Sequence, residues 1–566
     1  MALKKLTTPR AEALTDTPWQ TYPRPQLKRN SYVNLNGYWD FTVSPETAFP
    51  QAYDRKIQVP FCPESQLSGI EEHFPEGHSL FYRKKLTLPQ GFQKDRVLLH
   101  IGAADQITEV YVNRKSVGFH EGGYEAMTFD ITDYLEAENE LVIRVTDDMR
   151  GHIFPYGKQV MKRGGMWYTP VSGIWQTVWL ESVPQDYVNQ LDIQTTLTQA
   201  TIRVTPALSG TITLEGKEYP LVNGQAVLTP ADPKLWTPET PYLYSFTVTA
   251  GEDTFESYFA LRTLEVKQVG NYPRLCLNGK PYFFHGLLDQ GYWPDGIFTP
   301  ADPQCYADDI LAMKELGFNM LRKHIKVEPE QFYYDCDRLG MVVFQDMVNN
   351  GAYNFLRDTI SPTFLGQKRD DTRMHPDPQT RTKFLQGMDA TVKQLKNHPC
   401  ICYWTIFNEA WGQFDSAACY RQLKALDCSR FIDSTSGWFR GSVSDVESLH
   451  IYFNFWHRLK PSAKPLVLSE FGGFTCSIPD HIFNPDRTYG YGGCKDPQEL
   501  SRRLDALYRE RVIPAVRKGL CAAVYTQISD VEDEINGLMT YDRKLCKPDK
   551  ETMLALAKAL QEALSV

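Results

Sequence analysis

The second half of the chain alternates short apolar runs with amphipathic helical stretches, and this alternation constrains the fold more than any other feature. Eight runs have about the length of a buried parallel strand. They are Tyr282–Gly286, Phe318–Lys323, Val342–Asp346, Ile401–Asn408, Phe431–Ser434, Glu447–Ile451, Leu466–Glu470 and Ala522–Gln527. Eight strand–helix units in about 290 residues predict a (β/α)8 TIM barrel. A doubly wound sheet is the alternative, although no Gly-rich phosphate fingerprint follows the first run.

The first half of the chain is typical of antiparallel β-structure. Arg96–Ile101, Ile107–Val112 and similar stretches alternate apolar with polar residues, which indicates a β-sandwich. A smaller set of strands, including Gly210–Leu214, follows Pro184 and occupies about 80 residues, an immunoglobulin-like size. We therefore predict a sandwich over residues 1–183, an immunoglobulin-like sandwich over 184–266 and the barrel over 267–566.

Charge and composition exclude several classes of partner. The chain has 60 Lys and Arg against 69 Asp and Glu, so it offers no basic surface for nucleic acid or an anionic membrane. It has neither a membrane-spanning apolar run nor the apolar stretch of a signal peptide near its start, and we expect a cytoplasmic protein. The 12 Cys are scattered without metal-site or redox spacing, so we predict no metal site and no cofactor.

Two glutamates stand at predicted strand ends. Glu409 directly follows the fourth run, and Glu470 ends the seventh, 61 residues further on. Active sites of such barrels form at the carboxyl ends of the strands, so both side chains are expected in one pocket. A buried carboxylate is costly without a function, and two in one pocket are what glycoside hydrolysis requires. The sequence therefore predicts a glycosidase.

Four stretches resemble glycoside hydrolase family 2, the β-galactosidase and β-glucuronidase family of retaining exo-glycosidases. They are Asn408–Glu409, Ser469–Gly472, Tyr168–Glu181 and Gly317–His324. The resemblance implies a jelly-roll-like, sugar-binding type for the first sandwich. It also implies that Glu470 is the nucleophile, that Glu409 is the acid/base, and that a small-molecule or oligosaccharide β-glycoside is the substrate.

Further residues are expected to bind the sugar. Asn408 suits a hydrogen bond to the 2-hydroxyl, and the resemblance implies that His324 binds hydroxyls and that Tyr452 orients the nucleophile. The remaining candidates are His450, Asp289 and Gln290 for hydroxyls and Trp411 and Trp438 for stacking. The loop at Asp147–Asp148 is expected near the pocket edge, and a homo-oligomer is left open.

The sugar is predicted from the segment after the eighth run. Family glucuronidases carry an Asn-x-Lys element there, whereas this chain has Glu534–Ile535–Asn536 in an acidic stretch that would repel a uronate. The leading expectation is therefore a neutral β-galactoside. The alternative is a β-glucuronidase or other β-hexuronidase, with the cation supplied by Arg322, Lys323, Lys326 or Arg440. A non-catalytic carbohydrate-binding protein is the second alternative.

Overall fold

The computed structural model describes residues 3–148, 151–360, 370–437, 443–452 and 455–565. Antiparallel sheets form the first half of the chain, and an eight-stranded parallel barrel surrounded by helices forms the second. The predicted fold class is confirmed. None of the helices in the described ranges combines the length and apolar character that crossing a bilayer requires.

The strands of the first sandwich are β1 (Tyr32–Asn34), β2 (Gly37–Ser44), β3 (Arg55–Val59), β4 (Ser79–Leu86), β5 (Arg96–Ile101), β6 (Ala104–Asp105), β7 (Ile107–Val112), β8 (Lys115–Glu121), β9 (Met127–Asp130), β10 (Asn139–Thr146), β11 (Gly173–Ile174) and β12 (Val178–Val183). A four-stranded sheet, of order β1-β12-β5-β9, packs on a six-stranded sheet, of order β3-β2-β4-β10-β7-β8. Alternate residues face one core, where Leu99 and Leu180 of one sheet meet Phe41 and Tyr82 of the other.

The second sandwich is smaller. Its strands are β13 (Gln190–Thr195), β14 (Ala200–Thr205), β15 (Gly210–Leu214), β16 (Lys217–Leu221), β17 (Gln225–Leu228), β18 (Tyr244–Ala250) and β19 (Asp253–Phe259). Ile202, Ile212 and Phe246 lie in its core. A three-stranded sheet follows, formed by β20 (Leu264–Val269), β21 (Tyr272–Leu277) and β22 (Lys280–Pro281). The predicted boundary at residue 266 falls inside β20, and the domain boundaries stay a prediction.

Eight parallel strands form the barrel. They are β23 (Phe284–Asp289), β24 (Met320–Lys323), β25 (Val342–Asp346), β26 (Ile401–Asn408), β27 (Phe431–Ser436), β28 (Glu447–Ile451), β29 (Leu466–Gly472) and β32 (Leu520–Thr526), with the short β30 (Thr475–Cys476) and β31 (Gly493–Cys494) beside them. The order is β27-β26-β25-β24-β23-β32-β29-β28. Nearly every residue of these strands is buried, which explains why they are continuous apolar runs in the sequence.

The helices cover the outside of the barrel. They are α1 (Gln304–Glu315), α2 (Glu330–Leu339), α3 (Pro378–Leu395), α4 (Ser416–Leu426), α5 (Pro497–Leu507), α6 (Ile513–Val516) and α7 (Lys550–Glu562), and a π-helical turn at Tyr508–Val512 joins α5 to α6. Within the described ranges, α-helices follow six of the eight barrel strands. The described residues between β27 and β28 and between β28 and β29 contain no α-helix, only the 3-10 turn Trp456–Arg458. Ten residues separate β27 from β28, fewer than a helical crossover usually needs.

Side chains and loop backbone close the barrel between β27 and β28, the two ends of the strand order. Asp445, just before β28, exchanges hydrogen bonds with Ile432 of β27: its backbone N–H donates to the Ile432 carbonyl at 2.9 Å, and its carboxylate accepts from the Ile432 N–H at 3.0 Å. Further along, the hydroxyls of Ser436 and Ser448 lie 3.4 Å apart. The carboxyl ends of β26, β27, β28 and β29 therefore surround one small space.

The first sandwich reaches the mouth of the barrel through residues 151–172, between β10 and β11, here called the sandwich loop. The N–H of Tyr156 donates to the carbonyl of Asn349 at 3.0 Å, and the amide of Asn350 donates to the carbonyl of Ile153 at 2.6 Å. The loop therefore lies against the end of the barrel where the strands finish, a few residues after the expected Asp147–Asp148.

Candidate active site

The two glutamates lie on neighbouring parts of the barrel rim. Glu470 belongs to β29, while Glu409 follows β26, in a turn where its φ is +51° and that of Ala410 is +63°. The N–H of Glu409 donates to the carbonyl of Ser436 at 2.9 Å, which ties this turn to β27. Left-handed backbone at two successive non-glycine residues is sparsely populated and is typical of functional sites.

The separation of the carboxylates fits one class of glycoside chemistry. One oxygen of Glu409, one oxygen of Glu470 and one ring nitrogen of His450 all lie within 4.8 Å of one another. Retaining glycosidases hold their carboxyl groups about 5–5.5 Å apart, whereas inverting ones leave about 6.5–9.5 Å for a water molecule. The geometry fits direct attack by one carboxylate on the sugar.

Glu470 is held from both sides. Nη1 of Arg322 lies 3.0 Å from its Oε1, and the hydroxyl of Tyr452 donates a short hydrogen bond to Oε2. Tyr452 also lies 3.0 Å from the hydroxyl of Thr526 at the end of β32. The donors fix the carboxylate in one orientation, as a nucleophile requires.

Arg322, at the end of β24, organises the rest of the site. Its guanidinium contacts Asp346 at 3.0 Å and Oδ1 of Asn408 at 2.9 Å. A guanidinium only donates, so the oxygen of Asn408 faces it and the amide nitrogen is left for another partner. Nδ2 of Asn408 makes no hydrogen bond with any described residue, consistent with the predicted contact to the sugar 2-hydroxyl.

His450 contacts the other carboxylate. Its Nδ1 lies 2.7 Å from Oε1 of Glu409, and its Nε2 lies 3.0 Å from the hydroxyl of Ser436. Burial raises the pKa of Glu409, but the hydrogen bond and charge of His450, together with the charges of Lys158 and His324, outweigh burial and lower it well below its usual range. This direction favours the ionised form of Glu409, the opposite of the raised pKa that the acid of a retaining glycosidase requires.

His324 contacts a buried carboxylate. Its Nδ1 lies 2.7 Å from Oδ2 of Asp346. Burial lowers the pKa of His324 and outweighs the opposing hydrogen bond with Asp346. Nδ1 faces the carboxylate, so Nε2 is the ring nitrogen that can meet a sugar hydroxyl. Nε2 has no partner in the part of the chain that the structure describes.

Asp289 and the neighbouring lysines are engaged with one another. Oδ2 of Asp289 accepts from Lys323 at 2.6 Å, and Oδ1 accepts from the N–H of Gly291 at 2.9 Å. Glu328 accepts from Lys323 at 2.9 Å and from Lys326 at 3.1 Å. Arg322, Lys323 and Lys326, predicted as possible cations for a uronate, therefore all have carboxylate partners. Gln290 is buried beside them, and its Oε1 has no hydrogen-bond partner among the described residues.

Trp411 is packed rather than open. It is 3% exposed, and its indole N–H donates to the carbonyl of Gly351 at 3.0 Å. Trp167 of the sandwich loop packs edge-on against it at 5.1 Å and remains partly exposed, so it is the better placed ring for stacking. A stacking role for Trp411 stays a prediction, and Trp438 and Arg440 lie outside the described residues.

The sandwich loop also satisfies the acidic segment after β32. The N–H of Thr169 donates to Glu532 at 2.9 Å, and Arg163 contacts Asp533 at 2.9 Å. The hydroxyl of Tyr168 donates to Glu534, whose other oxygen accepts from Asn536 at 2.9 Å. Arg163 offsets part of the negative charge of this segment, and the neutral donors orient Glu532 and Glu534.

Several residues of the site were not among those predicted to contact the sugar. Asp346 and Arg322 lie at the carboxyl ends of barrel strands, as the two glutamates do, so their position in the sequence could have indicated a role in the site. Lys158, Trp167 and Tyr168 come from the first sandwich, more than 200 residues before the catalytic strands, and no local pattern connects them to the barrel.

A barrel that carries a pair of glutamates at its rim is the arrangement of many glycosidases. Comparison with known proteins places the chain in the same class. Three models match: the sugar binding domain of glycosyl hydrolases family 2 over residues 71–184, glycosyl hydrolases family 2 over 181–262, and the family 2 TIM barrel domain over 268–473. The chain belongs to glycoside hydrolase family 2.

Individual relatives are distant. A β-galactosidase of Thermoanaerobacter pseudethanolicus is 26% identical over 491 residues, 78% of this chain and 61% of the relative. A β-glucuronidase of Sus scrofa is 24% identical over 542 residues, 80% of this chain and 79% of the relative. The structure of a β-D-glucuronidase from Dictyoglomus thermophilum has a TM-score of 0.72 at 18% identity and covers 96% of this chain and 98% of that one. The chain spans 40% to 61% of the length of the first three curated relatives it matches.

Proposed function

We propose that this protein is a retaining exo-β-glycosidase that removes a terminal β-linked sugar in two displacement steps. The observation that carries the proposal is the pair of carboxylates, Glu409 and Glu470, with oxygens within 4.8 Å of each other on the barrel rim. In the first step Glu470 attacks the anomeric carbon and forms a glycosyl ester, while Glu409 donates a proton to the leaving oxygen. In the second step Glu409 takes a proton from water, which attacks the ester and releases Glu470.

The surrounding residues support each step. Arg322 and Tyr452 keep Glu470 oriented for attack, and Arg322 also turns the Asn408 amide so that its nitrogen can meet the sugar 2-hydroxyl. Contacts to that hydroxyl strengthen in the oxocarbenium-like transition state. The contact with His450 favours the ionised form of Glu409, so Glu409 has to gain a proton before it can protonate the leaving oxygen.

For the sugar we favour a β-hexuronide over a neutral β-galactoside. Relatives matched by sequence are named both β-galactosidase and β-glucuronidase, while the matched structure from Dictyoglomus thermophilum is named a β-D-glucuronidase. The sequence argument against a uronate rested on the acidic segment after β32, and Glu532 and Asp533 of that segment are engaged by Thr169 and Arg163. The neutral β-galactoside is the second candidate.

Initial rates on nitrophenyl β-glycosides test the activity and the sugar together. The panel contains the glucuronide, galacturonide, galactoside, glucoside, mannoside and xyloside, with an α-galactoside as control. Glu470→Gln should lower kcat by about 1,000-fold or more, while Glu256→Gln, on the exposed side of β19, should behave as wild type. Folded protein that is silent on every β-glycoside would contradict the proposal and favour a carbohydrate-binding role.

The roles of the two glutamates can be separated. A 2-deoxy-2-fluoro glycoside of the preferred sugar should label Glu470, which peptide mass spectrometry would locate. In Glu409→Ala, azide should restore activity and give a β-glycosyl azide, because the nucleophile is intact and only the acid/base is missing. Label on another residue would overturn the assignment of the nucleophile.

A further inference from the structure

The sandwich loop places one lysine at the mouth of the barrel. The N–H groups of Tyr156 and Gly157 both donate to the carbonyl of Asn349, at 3.0 and 3.2 Å, immediately before Lys158. Gly157 has φ +64°, and a Cβ there would lie 2.8 Å from the carbonyl oxygen of Ile325. Only glycine tolerates such an approach in this conformation, so the backbone before Lys158 is fixed on the barrel.

The other side of Lys158 is fixed as well. Its carbonyl accepts from the N–H of Tyr168 at 3.0 Å, and the hydroxyl of Tyr168 donates to Glu534. The amide of Gln159, the next residue, donates to Asp105 at 3.0 Å within the first sandwich. Lys158 therefore stands on a rigid bridge between the first sandwich and the segment after β32.

The ammonium group of Lys158 has no counter-ion among the described residues. The residue is 9% exposed, and no described carboxylate lies within 4.0 Å of its Nζ and no described group hydrogen-bonds to it. Its contact is with the ring of Trp167, whose centre lies 5.4 Å away. Burying a cation whose only partner is an aromatic ring costs free energy. A bound anion would offset that cost, so this position favours an anionic ligand.

Lys158 lies close to the catalytic groups. Trp167, whose ring the ammonium group contacts, packs edge-on against Trp411, two residues after Glu409. Burial raises the pKa values of Glu409 and Glu534, and the charge of Lys158 opposes that effect on both carboxyls. The cations of the barrel itself already form ion pairs. Arg322 pairs with Asp346 and Glu470, and Lys323 pairs with Asp289 and Glu328. Among the described residues around the catalytic pair, Lys158 is the cation left for a ligand.

We propose that Lys158, a residue of the first sandwich and not of the catalytic barrel, binds the carboxylate of the terminal sugar and makes the enzyme selective for β-hexuronides. The inference rests on the proposed β-glycosidase function. It assigns to the sandwich loop the cation that the Glu534–Ile535–Asn536 segment does not supply. A charge-assisted hydrogen bond in a site shielded from water discriminates strongly between a sugar carboxylate and a neutral hydroxymethyl group.

The experiment compares matched pairs of substrates: nitrophenyl β-glucuronide with β-glucoside, and β-galacturonide with β-galactoside. Lys158→Met keeps the apolar stem and removes the charge, Lys158→Arg restores a cation, and Lys162→Met changes an exposed lysine of the same loop as a control. Thermal unfolding of each variant establishes that it is folded.

We expect Lys158→Met to raise KM for the hexuronides by about 10- to 100-fold and to change KM for the neutral partners less than about threefold. Lys158→Arg should recover part of the loss, and Lys162→Met should match wild type. Equal losses on acidic and neutral sugars would overturn the inference, because a lysine that acts only by stabilising ionised Glu409 affects both. Unchanged KM for hexuronides would overturn it too.

The two proposals fail in different ways. If wild-type enzyme hydrolyses no β-glycoside, the proposed function is wrong. If it hydrolyses only neutral sugars, the glycosidase proposal stands and the role of Lys158 is refuted.

Discussion

Nδ1 of His450 lies 2.7 Å from Oε1 of Glu409, so the proposed acid/base carries a partly buried hydrogen bond that favours its ionised form. The same nitrogen lies 3.4 Å from Oε2 of Glu470. One imidazole therefore stands between the two carboxylates and reduces the repulsion between them. A leaving group that enters beside Glu409 has to compete with this contact before the proton can be delivered.

Replacing His450 should change the pH dependence of hydrolysis. Burial raises the pKa of Glu409 and the His450 contact lowers it, so in His450→Gln the effect of burial should dominate and the pKa should rise. Glu409 then keeps its proton to higher pH, and the basic limb of the kcat/KM profile should move upward. Ser436→Ala, which removes only the contact at Nε2, should move it less. A limb that stays in place in His450→Gln would contradict this account.

Arg322→Lys should impair catalysis although it keeps the charge. An ammonium cannot reproduce the planar fork that reaches Glu470, Asp346 and Asn408 together. Because small displacements of catalytic groups are costly, we expect kcat to fall about 100-fold, together with a lower Tm. Arg509→Lys, in an exposed pair with Asp505, is the matched control. Wild-type kcat in Arg322→Lys would show that the orientation of Glu470 is set by other groups.

Metal removal should leave the activity unchanged. The ligand atoms of Glu409, His450 and Glu470 lie close enough to hold an ion, but an ion there would neutralise the nucleophile. We expect dialysis against EDTA to have no effect on kcat/KM and added Zn²⁺, which favours nitrogen and carboxylate ligands, to inhibit competitively. Activity that is lost on chelation and restored by a metal would refute the metal-free mechanism.

Gly157→Ala should loosen the sandwich loop. Left-handed backbone costs a non-glycine residue about 1–2 kcal/mol, and here a Cβ would also lie 2.8 Å from the carbonyl oxygen of Ile325. Gly216→Ala is the matched control, because Gly216 has φ +77° but nothing within 4 Å of the added carbon. We expect a lower Tm and a higher KM in Gly157→Ala than in the control. Equal effects would mean that the contact with the barrel does not position the loop.

Much of the fold could be predicted because its signals are local. The bounds of β25, β26 and β28 coincide with apolar runs in the sequence, since a strand buried on both faces leaves a continuous run of apolar residues. Counting apolar runs does not show what lies between two strands, so the sequence did not distinguish the two connections whose described residues contain no α-helix.

The sequence by itself determined the eight-stranded barrel and placed Asn408, Glu409 and Glu470 on its rim, because strand periodicity and strand ends are properties of neighbouring residues. Only the tertiary structure decided which charged side chains are paired with one another and which remain available to a ligand. It paired Lys323 with Asp289 and Arg322 with Glu470, and it brought Lys158 and Trp167 from the first sandwich to the barrel mouth. Such pairings depend on distances between segments far apart in the chain, and local pattern carries no record of them.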